Sequence, residues 1–500
     1  MLFEDLKKIS KHYVIYAGGT IINKAIGFIM VPVYTRCITP PEYGIIGILN
    51  LMVWVLGLIV GMNISAGVTR FYYAYSDQGE RGSVVSTAIL FVAIFSVPVL
   101  ASMTLFSGNI SYVLFNNKDY SLYVNLSLAA LFFEMLLPIP MACFRLKNRS
   151  VAFLVFSIAQ LFVGLAINIV LIVILRWGIL GVLYSQILTP LAISPVLLYF
   201  TFKDFGLRFS LDPLKKIISY SLPLIPAGLA MIILNFGDRY ILKCFVPMSD
   251  VGCYVLGYKI ALLLGFFVGL PFNYIWQPYT FSISENENAK NIYAKIFTYY
   301  SIFVVFVGLA IAVFAKDIIK LIASPDYSKA AMIMPPVVLG VVFYQLYNLL
   351  TLGIMLTKKT RWLACVVSAA AGLNVAMNLA LIPRFGTMAA ACTTLVSFAF
   401  LACLGYATAQ KFYRIEYELG RLFKIFFVGI GLYIISSLIQ FDNLAVDIFG
   451  KSFVVMAYPF ALYFFGFYED KELVKIQVLT KSVKAKFKAI SSRILEFAQN

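Results

Sequence analysis

Residues 13–34 read YVIYAGGTIINKAIGFIMVPVY, and this stretch decides the fold class. About twenty consecutive apolar residues suffice for a helix to cross a bilayer. Lys24 stands near the middle of the run, where a cation costs about 2.5–3.5 kcal/mol on insertion scales. Thr20, Asn23 and Gly27 share the helical face of this lysine, because they follow the three- and four-residue spacing. The stripe predicts a helix that faces a bundle interior and an anionic cargo.

The composition extends this interpretation to the whole chain, which is 61% hydrophobic and only 13% charged. These values indicate a polytopic, all-helical membrane protein. The first apolar run is too long for a removable secretory signal and no small-residue cleavage pattern follows it. We predict about fourteen transmembrane helices, at residues 13–34, 44–66, 83–106, 121–143, 151–175, 178–202, 214–236, 252–275, 296–315, 332–356, 362–382, 387–408, 422–440 and 449–467.

The basic residues are distributed unequally between the two sides of the predicted membrane. Counted from a cytoplasmic N-terminus, 28 lie on the inner side and 10 on the outer side. Because positive loops stay in the cytoplasm, both termini are predicted to be cytoplasmic. The net charge of +17 is therefore explained by topology and not by nucleic-acid binding. The basic tail, 468–500, lies either on anionic lipid headgroups or in solution.

The chain also repeats itself. A shift of 208 residues superposes Gly44 on Gly252, Gly57 on Gly265 and Gly178 on Gly386. Matching glycines mark the same turns and close contacts in both copies. Six spans per copy give two lobes of the same orientation, so substrate is expected between them near mid-membrane. The predicted segments are a cytoplasmic N-terminus (1–12), an N-lobe (13–202), a linker (203–213), a C-lobe (214–408), two additional C-terminal helices (409–467) and the tail (468–500).

Several short motifs occur in a characteristic order along these spans. They are Tyr34-Thr35-Arg36, Pro40-Pro41-Glu42-Tyr43-Gly44, Thr69-Arg70-Phe71-Tyr72, Asp238-Arg239-Tyr240, Val251-Gly252-Cys253-Tyr254, and Asn374, Asn378, Pro383 and Gly386. Together they resemble the polysaccharide flippases of the multidrug/oligosaccharidyl-lipid/polysaccharide exporter superfamily. The resemblance implies a bacterial inner-membrane protein that moves an undecaprenyl-pyrophosphate-linked oligosaccharide repeat unit to the outer leaflet, beside the polymerase and glycosyltransferases of the same pathway.

The resemblance also implies basic residues in a central cavity, and Lys24, Arg70 and Lys259 match those positions. A pyrophosphate in low dielectric requires such partners, since an unpaired charge there costs several kcal/mol. Two of the three have a simpler interpretation. Arg70 follows the second span and can be a positive-inside anchor, and Lys259 can extend outward to the lipid headgroups. We assign pyrophosphate contact to all three.

Four further charged residues receive roles in this interpretation. Arg36 and Arg239 are placed near the outer exit. Glu134 lies well inside the fourth span, and it and Asp238 are the candidates for gating or proton coupling, because desolvation disfavours a charged carboxylate. The alternatives are a structural salt bridge for either carboxylate and an interfacial anchor for the pair of residues 238 and 239. Proton or sodium coupling stays open, and no other cofactor is expected.

Asn374 and Asn378 are one turn apart in the eleventh span. They are candidates for binding sugar hydroxyls, but interhelical amide bonds are common in membrane proteins and are the better interpretation.

The sequence offers little for catalysis. A single histidine, His12, excludes histidine-based acid/base pairs and histidine metal clusters. The seven cysteines form no CxxC pair, and no GxxxxGK[ST] loop is present. We therefore predict no enzyme activity and no metal site. The remaining alternatives are a multidrug or organic-cation antiporter, a flippase for a lipid-linked peptidoglycan precursor, and a membrane glycosyltransferase or polymerase.

Overall fold

The computed structural model describes residues 16, 18–22, 25–439, 443–470 and 472. Lys24, the predicted N-terminal segment 1–12 and the tail beyond Glu472 lie outside these residues. Within the described ranges every regular element is helical, so the predicted all-helical class is confirmed.

The helices of the first part of the chain alternate long membrane-length elements with short ones. They are α1 (Val31–Cys37), α2 (Pro40–Val60), α3 (Ile64–Tyr72), α4 (Gln78–Leu105), α5 (Ser107–Phe115), α6 (Ser121–Met135), α7 (Pro138–Leu146), α8 (Ser150–Asn168) and α9 (Gly178–Phe205). A π-helix, Ile169–Ile174, extends α8. We call this part the N-half.

The second part follows the same plan. Its helices are α10 (Leu211–Ser221), α11 (Ile225–Phe236), α12 (Asp238–Leu242), α13 (Met248–Ala261), α14 (Leu270–Ser282), α15 (Ala289–Val313), α16 (Ala315–Ile322), α17 (Ala330–Leu350), α18 (Leu352–Leu356), α19 (Arg361–Phe412), α20 (Leu419–Leu438) and α21 (Leu444–Phe464). A π-helix, Gly265–Gly269, joins α13 to α14. We call α10–α14 and α16–α19 the C-half.

Among the described residues, twelve helical segments are long and apolar enough to cross a membrane. One of them, α19, has 52 residues and contains a backbone break at Gly386, where φ is 59° and ψ is −137°. At about 1.5 Å per residue such a helix is roughly two and a half times as long as a bilayer core is thick. This length is compatible with the two crossings at residues 362–382 and 387–408, which stay a prediction. The total of fourteen stays a prediction, since the first span is only partly described.

The chain forms two compact units. The first comprises Met1–Tyr293 and Phe314–Ile415, and the second comprises Ala294–Val313 and Glu416–Asn500. In the second unit, α15 packs with the last two helices: the ring of Phe306 lies 6.1 Å from that of Tyr458. The sequence assigns residues 296–315 to the C-lobe, and the predicted lobe boundaries stay a prediction.

The first unit contains the N-half and the C-half. In the N-half, α9 packs against α4, α6 and α8, and in the C-half α19 packs against α11 and α17. The two halves meet through α2 with α13 and through α3 with α10. The 208-residue repeat is visible in this geometry: α2 and α13 begin at equivalent residues, Pro40 and Met248.

Equivalent glycines also share a backbone conformation. Gly178, at the start of α9, and Gly386, inside α19, both have positive φ, at 53° and 59°. Only glycine adopts this region without steric cost. The sequence match between these two residues therefore coincides with a shared requirement for positive φ.

Candidate functional site

A cavity of about 470 Å³ lies inside the first unit. Its N-half wall is formed by residues of the first span and of α2, α6, α8 and α9, and its C-half wall by α11, α12 and α13. The charged residues on its described walls are Glu134, Arg239 and Lys259. The cavity thus unites three of the charged residues that the sequence singles out.

Lys259 is on the last turn of α13 and its side chain faces the cavity. Its Nζ donates a hydrogen bond to the hydroxyl of Tyr43 at 3.5 Å. It also lies 5.8 Å from the ring centre of Tyr34 and 5.9 Å from that of Tyr43. Within the described residues no carboxylate forms an ion pair with it. The structure therefore places this cation in the protein interior and not in the lipid-facing position that the sequence leaves open.

Arg239 also lines the cavity, and its side chain is only 4% exposed. Its guanidinium carbon lies 4.7 Å from the ring centre of Phe236, 5.4 Å from Tyr258 and 5.9 Å from Trp54. Such cation–π contacts stabilise a desolvated guanidinium by up to about 2 kcal/mol. The Nε atom has no hydrogen-bond partner in the described part of the chain. The cation is thus held by rings while part of its hydrogen-bonding capacity stays unused.

The sequence places Arg239 near the outer exit, which stays a prediction, and the structure adds that its side chain lines the cavity. The chain does not leave the bundle after α11, because only Gly237 separates Phe236 from the start of α12. Aromatic rings of α2, α11 and α13 surround the guanidinium at this point. Arg239 therefore belongs to the wall of the cavity.

Asp238 is buried beside this arginine, at 1% exposure. It accepts hydrogen bonds from the hydroxyl of Tyr254 and, at 3.3 Å, from that of Thr394. Its other carboxylate oxygen has no hydrogen-bond partner among the described residues. The aspartate links α12 to α13 and α19, and it is absent from the residues that line the cavity.

Glu134 occupies the last turn of α6, just before the helix breaks and α7 begins at Pro138. Its side chain is exposed and lines the cavity. No hydrogen bond or ion pair of this carboxylate is found within the described residues. Unlike Asp238, it is available to a molecule inside the cavity.

The N-half wall contains neutral polar residues that the sequence analysis did not identify. Asn168 is the centre of one group: its Oδ1 accepts from the hydroxyls of Tyr34, at 2.6 Å, and Ser185, at 3.0 Å. Its Nδ2 donates to the Gly164 carbonyl at 2.7 Å. A helical spacing links Gly164 to Asn168 in the sequence, but the bond to Tyr34 spans 134 residues and becomes visible only in the fold.

Two further amides, Gln160 and Gln186, also line this wall. Gln186 donates to Oδ1 of Asn50 at 3.4 Å, near the upper limit for a hydrogen bond. The side chain of Gln160 has no hydrogen-bond partner among the described residues. These side chains can therefore turn toward a ligand without breaking a strong internal bond.

The remaining predicted site residues lie elsewhere. Arg36 is exposed and donates to the Leu321 carbonyl at 3.3 Å, and Arg70 is exposed on the last turn of α3. Neither is among the residues that line the cavity. Lys24 lies outside the described residues, so its predicted contact with the cargo stays a prediction.

Asn374 and Asn378 are fully buried. They form hydrogen bonds with each other and with the part of α19 that follows the break at Gly386. Asn378 donates to Asn374 Oδ1 at 2.9 Å and accepts from Thr393, and Asn374 donates to Ser397 at 3.1 Å. The structure places them away from the cavity, in a network that joins the two arms of one kinked helix.

Two repeat-related helical halves around a largely apolar cavity that carries a few charged and amide side chains define the architecture of a membrane transporter. The chain belongs to the polysaccharide biosynthesis protein family, whose family model matches residues 9–284, more than half of the chain. No curated protein sequence is similar enough to the chain to count as a match.

Several solved structures share the fold. One is "Lipid II flippase MurJ, inward closed conformation", with a TM-score of 0.71 and 13% identity over 90% of this chain and 99% of that chain. A second is an inward-facing multidrug resistance MATE family transporter of the MOP superfamily, with a TM-score of 0.61 and 17% identity over 79% and 94%. A third is a MOP superfamily transporter from Pyrococcus furiosus described as having a binding pocket of reverse polarity, with a TM-score of 0.52 and 15% identity over 81% and 95%. The fold of this multi-pass membrane protein is that of the MOP superfamily.

Proposed function

We propose that the protein is a flippase that carries an undecaprenyl-pyrophosphate-linked oligosaccharide repeat unit from the cytoplasmic to the outer leaflet of the bacterial inner membrane. The observation that carries the proposal is the pair of cations on the cavity wall, Lys259 and Arg239, neither of which has a carboxylate partner within the described residues. Burial of an unpaired cation costs several kcal/mol, which a bound anion offsets. A pyrophosphate linkage is such an anion.

The charge of the cavity separates this proposal from transport of organic cations. A cation exporter requires carboxylates that attract its substrate, whereas the described walls carry two cations and one carboxylate. Flipping of a peptidoglycan precursor uses the same pyrophosphate chemistry and stays the second candidate. The family match to polysaccharide biosynthesis proteins favours the repeat unit.

Movement of the cargo requires alternating access, in which contacts at one end of the cavity form while those at the other end break. In this proposal, the close crossing of α2 and α13 is the contact that closes one end of the cavity. With cytoplasmic termini, as the basic loops indicate, this end is the outer one. Glu134 on the wall and Asp238 behind Arg239 are the groups through which protons or sodium ions would be coupled to the exchange.

The test is complementation in a strain that lacks the gene. We expect a pyrophosphate-linked oligosaccharide to accumulate on the cytoplasmic leaflet, and its identity distinguishes a repeat unit from a peptidoglycan precursor. Lys259→Ala and Lys24→Ala are expected to fail to restore export, while Lys259→Arg and Lys24→Arg restore it. Lys118→Ala, which removes an exposed lysine outside the cavity, is the matched control. Normal export by an alanine variant at equal protein level would show that the substituted lysine does not bind the cargo.

A further inference from the structure

Charged and neutral polar groups are segregated on the described walls of the cavity. Both cations, Lys259 and Arg239, belong to the C-half wall, and the neutral hydrogen-bonding groups belong to the N-half wall. The carboxylate of Glu134 is also on the N-half wall. A cargo with one anionic end and one hydroxyl-rich end therefore meets two chemically different surfaces.

We infer that the N-half wall is the subsite for the saccharide of the cargo, formed by Asn50, Glu134, Gln160, Asn168 and Gln186, and that Glu134 makes it selective for neutral or amino sugars over acidic sugars. The inference rests on the proposed function, because the pyrophosphate on the C-half wall directs the adjoining sugar to the opposite one. It adds the chemical class of the sugar, which that proposal leaves open.

The hydrogen bonds inside the wall identify the groups that remain for the sugar. Asn168 uses its amide within the protein, where it bonds to Tyr34, Ser185 and Gly164. Glu134 and Gln160 have no such bonds among the described residues. Polar groups that are unpaired in a protein cavity favour a ligand that pairs with them. Amide and carboxylate side chains together offer the donors and acceptors that sugar hydroxyls require.

The size of the cavity limits how much of the saccharide this wall can hold. Pockets for drug-sized ligands occupy about 300–1,000 Å³, and this cavity is at the lower part of that range, at about 470 Å³. This volume is sufficient for the sugar next to the pyrophosphate. Selection by the wall therefore acts on that first sugar.

The sign of the charge on Glu134 determines the selectivity. A carboxylate accepts strong, charge-assisted hydrogen bonds from hydroxyl or ammonium groups. The carboxylate of a uronic acid at the same place would be repelled, and like charges in a low-dielectric cavity interact strongly. Glu134→Gln keeps the shape of the side chain and removes this discrimination.

The experiment measures the binding of three probes to the full-length protein in lipid nanodiscs. The probes are a short-chain polyprenyl pyrophosphate without sugar, the same lipid with one neutral hexose, and the same lipid with one hexuronic acid. In the unmodified protein the hexose is expected to tighten binding about tenfold and the uronic acid much less, because the hexose hydroxyls pair with polar groups of the wall whereas the uronate is repelled by Glu134.

The variants separate the subsite from the pyrophosphate site. Gln160→Ala is expected to lose most of the gain that the hexose provides while binding the sugar-free lipid unchanged. Glu134→Gln is expected to bind the hexose and uronic acid lipids about equally. Lys259→Ala should weaken all three probes by a similar factor. Gln277→Ala, at an exposed glutamine outside the cavity, is the control.

Two results would overturn the inference: no gain from the hexose in the unmodified protein, or an equal loss for all three probes in Gln160→Ala and Glu134→Gln. A different result concerns the proposed function alone. If Lys259→Ala leaves every probe unchanged while Gln160→Ala removes the hexose gain, the pyrophosphate assignment fails and the saccharide subsite stands.

Discussion

Gly44 and Gly252, which are equivalent in the 208-residue repeat, lie against each other where α2 and α13 cross. A Cβ atom on Gly252 would be 1.8 Å from the carbonyl oxygen of Pro40 and 3.2 Å from the nitrogen of Gly44. A Cβ atom on Gly44 would be 2.7 Å from the carbonyl oxygen of Met248, the residue equivalent to Pro40. The contact is thus reciprocal, as in an interface between identical subunits.

Gly252→Ala should open this crossing. The added methyl group meets backbone atoms, which cannot rotate away, so the two helices have to separate. We expect faster labelling of a cysteine introduced at the cavity-lining residue Asn50 by a water-soluble thiol reagent, together with a loss of stability of about 1–3 kcal/mol, typical of overpacking. The substitutions are introduced into a variant that lacks the native cysteines, so that only the new cysteine reacts.

Gly372→Ala is the matched control, because a Cβ atom there has no neighbour within 4 Å. Equal labelling rates in the two alanine variants would show that the glycine crossing does not close this end of the cavity.

Tyr254→Phe should destabilise the protein through Asp238. The substitution removes the hydroxyl that donates to the buried carboxylate, and an unsatisfied buried polar group costs about 1–3 kcal/mol. Tyr258→Phe removes a hydroxyl that has no hydrogen-bond partner among the described residues and is expected to change stability little. The measurement is the melting temperature of each purified variant in detergent. A lower melting temperature for Tyr258→Phe than for Tyr254→Phe would contradict a stabilising hydrogen bond from Tyr254 to Asp238.

Asn378→Leu tests whether the asparagine pair is structural. It removes bonds to Asn374 and Thr393, and interhelical hydrogen bonds in membranes contribute about 0.6 kcal/mol each, so roughly 1 kcal/mol of stability should be lost. Affinity for the sugar-bearing lipid should stay the same, because the side chain does not line the cavity. A large loss of affinity without a loss of stability would instead support the contact with sugar hydroxyls that the sequence leaves open.

The second unit contains an ion-pair cluster with a predictable dependence on pH. Arg421 bonds to Glu472 at 2.8 Å, and Tyr299 donates to the same carboxylate. Partial burial raises the pKa of Glu472, but the hydrogen bonds from Tyr299 and Arg421 outweigh this effect and hold the pKa below its ordinary value. The contribution to stability is therefore present above the unfolded pKa, and it is lost as the pH falls through the folded pKa.

Glu472→Gln should accordingly lower the stability by about 1 kcal/mol at neutral pH and by progressively less in acid. The measurement is the melting temperature of both proteins as a function of pH. A difference that stays constant down to the pH at which the unmodified carboxylate is protonated would show that the charge of Glu472 contributes nothing.

Much of the fold can be predicted from the sequence because membrane crossing depends on local composition. The spans on both sides of Gly386 were predicted separately, although the structure joins them in one helix, since the glycine and the preceding Pro383 mark the break. The repeat could also be predicted from the sequence. Its matching glycines include Gly178 and Gly386, which both have positive φ in the structure and so occupy positions that favour glycine. The number of crossings depends partly on residues 13–34 and stays a prediction.

The candidate site could be predicted from the sequence only in part. Lys259 could be identified from its position inside a span, where a charge is costly. The cavity-lining position of Arg239 could not be predicted, because an acidic and a basic residue at the end of a span also resemble an interfacial anchor, and its contact with Trp54 depends on how the two halves pack. The amides of the N-half wall, such as Gln160, were missed for a related reason. Polar residues are frequent in membrane helices, and only the fold shows which of them face one cavity.

The absence of carboxylate partners for Lys259 and Arg239 within the described residues also affects the resting protein. Neither Glu134 nor Asp238, the two carboxylates nearest to these cations, forms an ion pair with them, so small mobile counterions from the surrounding solution are expected to lie beside the cations between transport cycles. Loading of cargo then becomes an ion exchange, in which chloride or phosphate leaves as the lipid headgroup enters. Apparent affinity is consequently expected to fall as the ionic strength rises, even though the cargo itself is embedded in the bilayer.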